Sequence, residues 1–221
     1  MERTTILNST SADISDSQIR KTYDIYASLY DLVFGANLNH GRKRVIKLMD
    51  PDPDESILEI GIGTGISLKY YDQNQKIVGI DLSEAMLEKA RLKALKYGHT
   101  NTSLFACNAE NILLPSNSFD KVVIMYVYSV AANPLTLLDE AQRVCKTGGD
   151  VYIVNHFSNY NNKGLSFSEK ILRKHAGRIG FRSDFSYDKY ITQRNLNIQN
   201  VEAVNFMGLS RIVHLKNDNV S

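Results

Sequence analysis

The sequence predicts an α/β fold, a mostly parallel sheet with helices on both faces. Three observations carry that expectation. Short apolar runs alternate with helical segments between Ser56 and Asn155, the pattern of a parallel sheet covered on both sides. A glycine-rich turn, Glu59-Ile60-Gly61-Ile62-Gly63-Thr64-Gly65, follows the first apolar run. Two further strand-like runs near the end are joined by Met207-Gly208-Leu209, short enough for a hairpin with one antiparallel strand at the sheet edge. Five parallel strands plus that hairpin make a seven-stranded sheet.

The elements follow in order. Residues 1–15 are polar, rich in Ser and Thr, and read as disordered. From Asp16, Ile19, Tyr23, Tyr26, Tyr30 and Val33 recur at spacings of three and four, one face of a helix, and Gly35 is expected to stop it. A second helix, Asn39 to Met49, carries Arg42, Lys43, Arg44 and Lys47 and is stopped by Pro51 and Pro53. Residues 16–50 thus read as a helical lid or membrane-facing segment, ahead of the main body of one domain, 51–221.

Ser56 to Ile60 is the first strand, and a helix begins over Gly65 to Tyr71. Lys76 to Asp81 is the second strand. Ser83 caps a helix running to Gly98, with Met86, Leu87, Ala90, Ala94 and Leu95 facing inward. Ser103 to Cys107 and the apolar run Asp120 to Tyr126 are the third and fourth strands. Asn133-Pro134 opens a helix that Gly148-Gly149 closes, and Asp150 to Asn155 is the fifth strand. Ser166 and Glu169 form a capping box before a basic helix ending near Gly180. The final strands are Gln199 to Phe206 and Ser210 to Lys216.

Composition narrows the classes. The 221 residues carry a formal net charge of +2, with 43% hydrophobic and 23% charged residues, the balance of a globular protein. That charge does not point to nucleic acid; attraction to an anionic partner must come from local clusters. Cys107 and Cys145 form no Cys-x-x-Cys pair, so they read as reduced thiols and no metal is expected. The first residues have no apolar core like a signal peptide's, and no run approaches the ~20 apolar residues that span a bilayer. The expectation is a cytoplasmic protein that can lie on a membrane surface.

A parallel sheet binds ligands at the carboxyl ends of its strands, where strand order reverses. Glycines there let the backbone turn tightly and let a ligand approach. The spacing is G-x-G-x-G, with Glu59 two positions before Gly61. A dinucleotide site uses G-x-G-x-x-G and a helix dipole aimed at a pyrophosphate. A carboxylate before the loop repels a pyrophosphate but suits the ammonium of a methionine moiety. Asp81, at the end of the second strand, can take both ribose hydroxyls. Met86 can cover an adenine face, and Asn108-Ala109-Glu110 can read the adenine edge.

The run Ile57 to Ala90, ILEIGIGTGISLKYYDQNQKIVGIDLSEAMLEKA, resembles the signature of the class I S-adenosylmethionine-dependent methyltransferases. Asn108-Ala109-Glu110, Leu114-Pro115, Ser118-Phe119-Asp120, Arg143-Val144 and Gly148-Gly149 resemble its downstream motifs. The resemblance implies a Rossmann-like methyltransferase fold and S-adenosylmethionine as cofactor, leaving as S-adenosylhomocysteine. It implies cofactor contacts at Tyr26, Glu59, Gly61, Gly63, Gly65, Asp81, Leu82, Met86, Asn108, Ala109, Glu110 and Tyr126. The family usually has Asp where this chain has Asn108, whose amide oxygen can still accept from an adenine amino group.

The flanks bear on the acceptor. Tyr23 to Gly35, Gly41-Arg42-Lys43-Arg44, Val154-Asn155-His156-Phe157 and Gly180 to Phe185 resemble the soluble bacterial phosphatidylethanolamine N-methyltransferases. That resemblance implies methylation of the phosphatidylethanolamine head group, and of its mono- and dimethyl forms, at the inner face of the cell membrane. Quinone-biosynthesis C-methyltransferases also carry Tyr-Asp near the start, so a C- or O-methyltransferase of a small lipophile is the rival. A cofactor-binding relative without catalysis is a third reading.

The chemistry fits the first. A phospholipid amine, with a pKa of ~10, must lose a proton before it attacks a methyl group. His156, Tyr23 and Tyr30 are the candidates to take it, although Tyr23, Tyr26 and Tyr30 also read as an amphipathic packing face. Lys170, Arg173, Lys174, Arg178 and Arg182 are candidates for the lipid phosphate and an anionic membrane surface, although such a run is also an ordinary solvated face. The first helix, with Ile19, Ile25, Leu29, Leu32, Val33 and Phe34, reads as a mobile helix that serves both as a lid over the cofactor pocket and as an interfacial helix.

Overall fold

The computed structural model describes residues 35–158, 185–205 and 210–218. Its strands are β1 (Ser56–Ile60), β2 (Lys76–Asp81), β3 (Thr102–Ala106), β4 (Phe119–Met125), β5 (Cys145–Asn155), β6 (Ile198–Val204) and β7 (Ser210–Lys216). They form one sheet in the order β3-β2-β1-β4-β5-β7-β6. Strands β1 to β5 pair in parallel, and β7 runs antiparallel to both neighbours. Chain order reverses between β1 and β4, so the glycine turn after β1 opens at the crevice where such sheets bind ligands.

The helices are α1 (Gly35–Met49), α2 (Glu84–Tyr97) and α3 (Pro134–Val144). Two buried clusters lie on opposite sides of the sheet. In one, Leu137, Leu138 and Ala141 of α3 pack with Leu58, Ile60, Val122 and Ile153. In the other, Val45, Ile46 and Met49 of α1 and Leu87 and Ala94 of α2 pack with Ile57, Val123 and Val154. The alternation Ile57 to one side, Leu58 to the other, follows from the two-residue strand period and places Glu59 with the α1 side.

Several expectations are corrected. The antiparallel strand is not at the edge. Strand β7, the more buried of the two, inserts beside β5, and the mostly exposed β6 takes the edge; the more apolar strand takes the inner position. Gly35 is the first residue of α1 rather than the stop of a preceding helix. Gly148-Gly149 does not close α3, which ends at Val144 because Cys145 is already extended. The pair instead serves an irregularity in β5, where the register with β4 jumps from Phe119–Cys145 to Lys121–Asp150. Gly148 is left-handed there, and a Cβ on Gly149 would stand 2.7 Å from the Asp120 carbonyl oxygen.

The helix expected from Gly65 is a 3₁₀ turn, Ile66–Tyr70, entered through Gly65 at φ 72. Leu95 is 77% exposed; the stripe of α2 runs through Leu87, Ala90 and Ala94, and Leu95 falls beyond its edge. Tyr126 lies just outside β4, at φ 64. The expected helix from Asp16 to Val33, the capping-box helix from Ser166 to Gly180, and the Met207-Gly208-Leu209 turn lie outside the described residues.

Candidate active site

The site grows from the end of β1. The Gly61 and Ile62 amides donate to the Ile80 carbonyl at 2.8 and 3.0 Å, carrying the β1–β2 ladder into the loop. Gly61, Gly63 and Gly65 are all left-handed, at φ 71, 57 and 72, where glycine alone is unstrained. A Cβ on Gly61 would meet Val127 Cγ2 at 2.0 Å, and one on Gly65 the α2 backbone at Ala90 at 3.0 Å. Around Gly63 a Cβ would meet nothing within 4 Å. The loop is therefore tight on both shoulders and open at its crown.

Two acidic residues flank that crown. Asp81 closes the loop from β2: its Oδ2 accepts from the Gly63 amide at 2.8 Å, and its Oδ1 from the Ser83 amide at 3.0 Å. Burial raises its pKa, opposed by the amides of Ser83, Gly63 and Leu82. Glu59 is 2% exposed; its oxygens accept from Ser67 Oγ at 2.7 Å and Tyr71 hydroxyl at 3.0 Å. Burial lifts its carboxyl to about 7, against those hydroxyls and the charge of Arg42. Burial and the neighbouring Glu59 push Tyr71 upward, so it stays a proton donor.

The far end of the crevice holds the residues expected at an adenine. Ala106 pairs with Asp81 across β3 and β2, which sets Asn108-Ala109-Glu110 beside the loop. Leu82 is 43% exposed, and Met86, half-buried, donates its amide to the Ser83 cap at 3.3 Å. Asn108 Oδ1 accepts from the Glu110 amide at 2.9 Å, and Glu110 Oε1 accepts from the Asn133 amide at 2.8 Å. The Asn108 amide thus shapes the turn, and the Glu110 carboxylate is turned toward the start of α3.

The remaining described candidates lie just past the ends of β4 and β5. Ser129 Oγ donates to Asn155 Oδ1 at 3.2 Å, and Asn155 Nδ2 to the His156 carbonyl at 2.7 Å. His156 follows β5 as expected, but is buried in the wall. The Tyr126 hydroxyl donates to the Leu38 carbonyl at 3.2 Å and accepts from Asn205 Nδ2 at 2.9 Å, while the Arg42 guanidinium lies 5.1 Å from its ring centroid. Tyr23, Tyr26, Tyr30, Lys170, Arg173, Lys174, Arg178 and Arg182 lie outside the described residues.

The family model described as "Methyltransferase domain" matches residues 58–153. A phosphatidylethanolamine N-methyltransferase of Cereibacter sphaeroides is 34% identical over 182 residues, 81% of this chain and 88% of that protein. The chain belongs to the class I S-adenosylmethionine-dependent methyltransferases. A demethylmenaquinone methyltransferase of Tropheryma whipplei (strain Twist) is 27% identical over 198 residues, covering 86% of the methyltransferase described here and 81% of its own length. Among solved structures, a SAM-dependent methyltransferase from Aquifex aeolicus superposes with a TM-score of 0.66 at 19% identity, covering 88% and 98% of the two chains. The [4+2]-cyclase SpnF superposes with a TM-score of 0.70 at 16% identity, covering 90% and 96%. At these identities the likeness is one of fold, and fold does not name the reaction.

The methyltransferase's cofactor is S-adenosylmethionine, and the residues fit it. The space over Gly63 admits a ligand that a side chain there would displace. Asp81 retains lone pairs for ribose hydroxyls beyond its two amide bonds. When bound, the cofactor supplies an electrophilic methyl group on a sulfonium sulfur. The described residues contain no group of three or more His, Cys, Asp or Glu placed to hold a metal ion. Sequence reasoning missed Ser67 and Tyr71, which hold Glu59, the Ser129–Asn155 pair, and Arg42. The first two were legible in hindsight as hydroxyls 8 and 12 positions beyond Glu59; the others meet only through the topology.

Proposed function

We propose that this methyltransferase N-methylates the phosphatidylethanolamine head group, and its mono- and dimethyl forms, toward phosphatidylcholine at a membrane surface. The observation that carries the reading is the 34% identity to a phosphatidylethanolamine N-methyltransferase across 88% of that protein. It extends well beyond the cofactor half, into the flanks where class I methyltransferases differ by acceptor.

The amine must be deprotonated, and holding it in line with the methyl group supplies most of the acceleration. His156, directly or through water, is the proton acceptor in this reading, with Tyr23 and Tyr30 as neighbours. Lys170, Arg173, Lys174, Arg178 and Arg182 hold the head-group phosphate and an anionic lipid surface. No described helix is long and apolar enough to cross a membrane, and the proposed contact is peripheral and reversible.

The similarity to a demethylmenaquinone methyltransferase over 198 residues supports a second reading, C-methylation of a quinone. The experiment presents the full chain and radiolabelled S-adenosylmethionine with phosphatidylethanolamine liposomes, demethylmenaquinone, or neither. Label in the phospholipid is expected. Label only in the quinone overturns the proposal in favour of the second reading. Label in neither, with cofactor bound tightly, overturns both.

A further inference from the structure

Helix α1 brings a cation to the glycine loop. Arg42 lies over the ring of Tyr126, 5.1 Å from its centroid, and its charge acts on the Glu59 carboxyl. Yet Arg42 forms no ion pair with Glu59, whose oxygens are occupied by Ser67 and Tyr71. Arg42 Nη1 is buried with no hydrogen-bond partner. A buried guanidinium N–H without an acceptor costs more than a neutral donor would, so this arrangement is poised for an anion.

Its position is held from three sides. The Gly41 amide donates to Asn205 Oδ1 at 2.9 Å, and Asn205 Nδ2 bonds the Tyr126 hydroxyl. A Cβ on Gly41 would stand 2.0 Å from that hydroxyl, so the helix sits on Tyr126 as closely as its backbone allows. Residue 127, next along, contacts Gly61. Arg42 therefore stands where β1 and β4 diverge, beside the loop.

We propose that Arg42 binds the carboxylate of the amino-acid end of S-adenosylmethionine. That end is a zwitterion, and the site offers a carboxyl, Glu59, and a guanidinium cation, Arg42, that are not paired with each other. A guanidinium matches a carboxylate through two parallel N–H···O bonds, and the aromatic face beneath it limits its freedom before binding. This assignment concerns the cofactor alone and holds whichever acceptor is methylated. The other anion that could claim the same group is the phosphate of the acceptor.

The test measures binding by calorimetry on the full chain, using S-adenosylmethionine and its decarboxylated analogue, which lacks only the carboxylate. In the wild-type protein the analogue should bind more weakly. Arg42→Met should weaken S-adenosylmethionine by about tenfold or more, the loss expected of a charge-assisted pair, and should leave the analogue within about twofold. Arg42→Lys, which keeps charge but not the fork, should recover part of the loss. Equal weakening of both ligands would mean that Arg42 only supports the loop, and would overturn the proposal. Unchanged binding of both, with a raised KM for phospholipid alone, would assign Arg42 to the acceptor phosphate instead. Thermal unfolding of the ligand-free variants checks that α1 still docks.

Discussion

The buried Glu59 gives the protein a stability term with an unusual sign. Its carboxyl rises from an ordinary 4.5 to about 7, chiefly through burial. At 1.36 kcal/mol per pKa unit this amounts to about 3 kcal/mol of folding free energy. The folded chain holds this proton more tightly than the unfolded chain. The contribution is fully present below the unfolded value and is lost as pH climbs through about 7. Glu59→Gln keeps the shape and removes the titration. Urea unfolding of both proteins at about pH 5 and about pH 8 isolates the effect, because other shifted groups, such as Asp81, Asp120 and Glu140, are common to both. Relative to wild type, the Glu59→Gln protein should gain about 2.5 kcal/mol between those two conditions, slightly less than the full term because pH 5 lies above the unfolded value. S-adenosylmethionine should nonetheless bind the Glu59→Gln protein more weakly than wild type, most of all at the higher pH, where the wild-type carboxylate is ionised and can pair with the ammonium. A stability difference that stays constant with pH would refute the buried-carboxyl argument.

Three further outcomes follow from particular contacts. Gly61→Ala should cost about 2–4 kcal/mol of stability, from overpacking against Val127 and a left-handed backbone, whereas Gly63→Ala should cost about 1–2 kcal/mol and mainly lower S-adenosylmethionine affinity; thermal unfolding and calorimetry separate the two. Asn108→Asp should keep the turn to the Glu110 amide and tighten cofactor binding roughly fivefold, as a carboxylate accepts better from an adenine amino group than an amide does; weaker binding would show that the amide is preferred. Arg44→Ala should lower stability only slightly despite the two-pronged contact to Glu202 at 2.6 and 2.8 Å, because the pair is partly exposed and screened by solvent; a loss in denaturant unfolding as large as that of Gly61→Ala would mean that this contact holds α1 in place.

The sheet was legible where local pattern and burial agree. Strands β1, β2 and β7 match their expected bounds. Asn133 and Ser83 cap the helices they were expected to cap, because a cap is a local hydrogen bond that the sequence can display. What misled was glycine. Gly148-Gly149 reads as a helix stop, since a left-handed glycine serves helix ends and strand irregularities alike. Only the neighbouring strand, which supplies the Asp120 carbonyl against Gly149, tells the two apart. The position of β7 was likewise hidden, because a hairpin does not state which of its strands faces the sheet.

The cofactor half was readable because its residues are close in sequence: Glu59 to Gly65, then Asp81. The features that turn this loop into a receptor for an amino acid are not. Arg42 is separated from Glu59 by the rest of α1 and two prolines, and Tyr126 and Asn205 join it from just past the ends of two separate strands. Tyr126 itself occupies a left-handed backbone at φ 64, a conformation that costs roughly 1–2 kcal/mol for such a residue. That cost is offset by what the geometry permits. The strand ends, the ring turns under Arg42, and the hydroxyl reaches both Leu38 and Asn205. One strained residue thus ties α1 to the residue that follows β6.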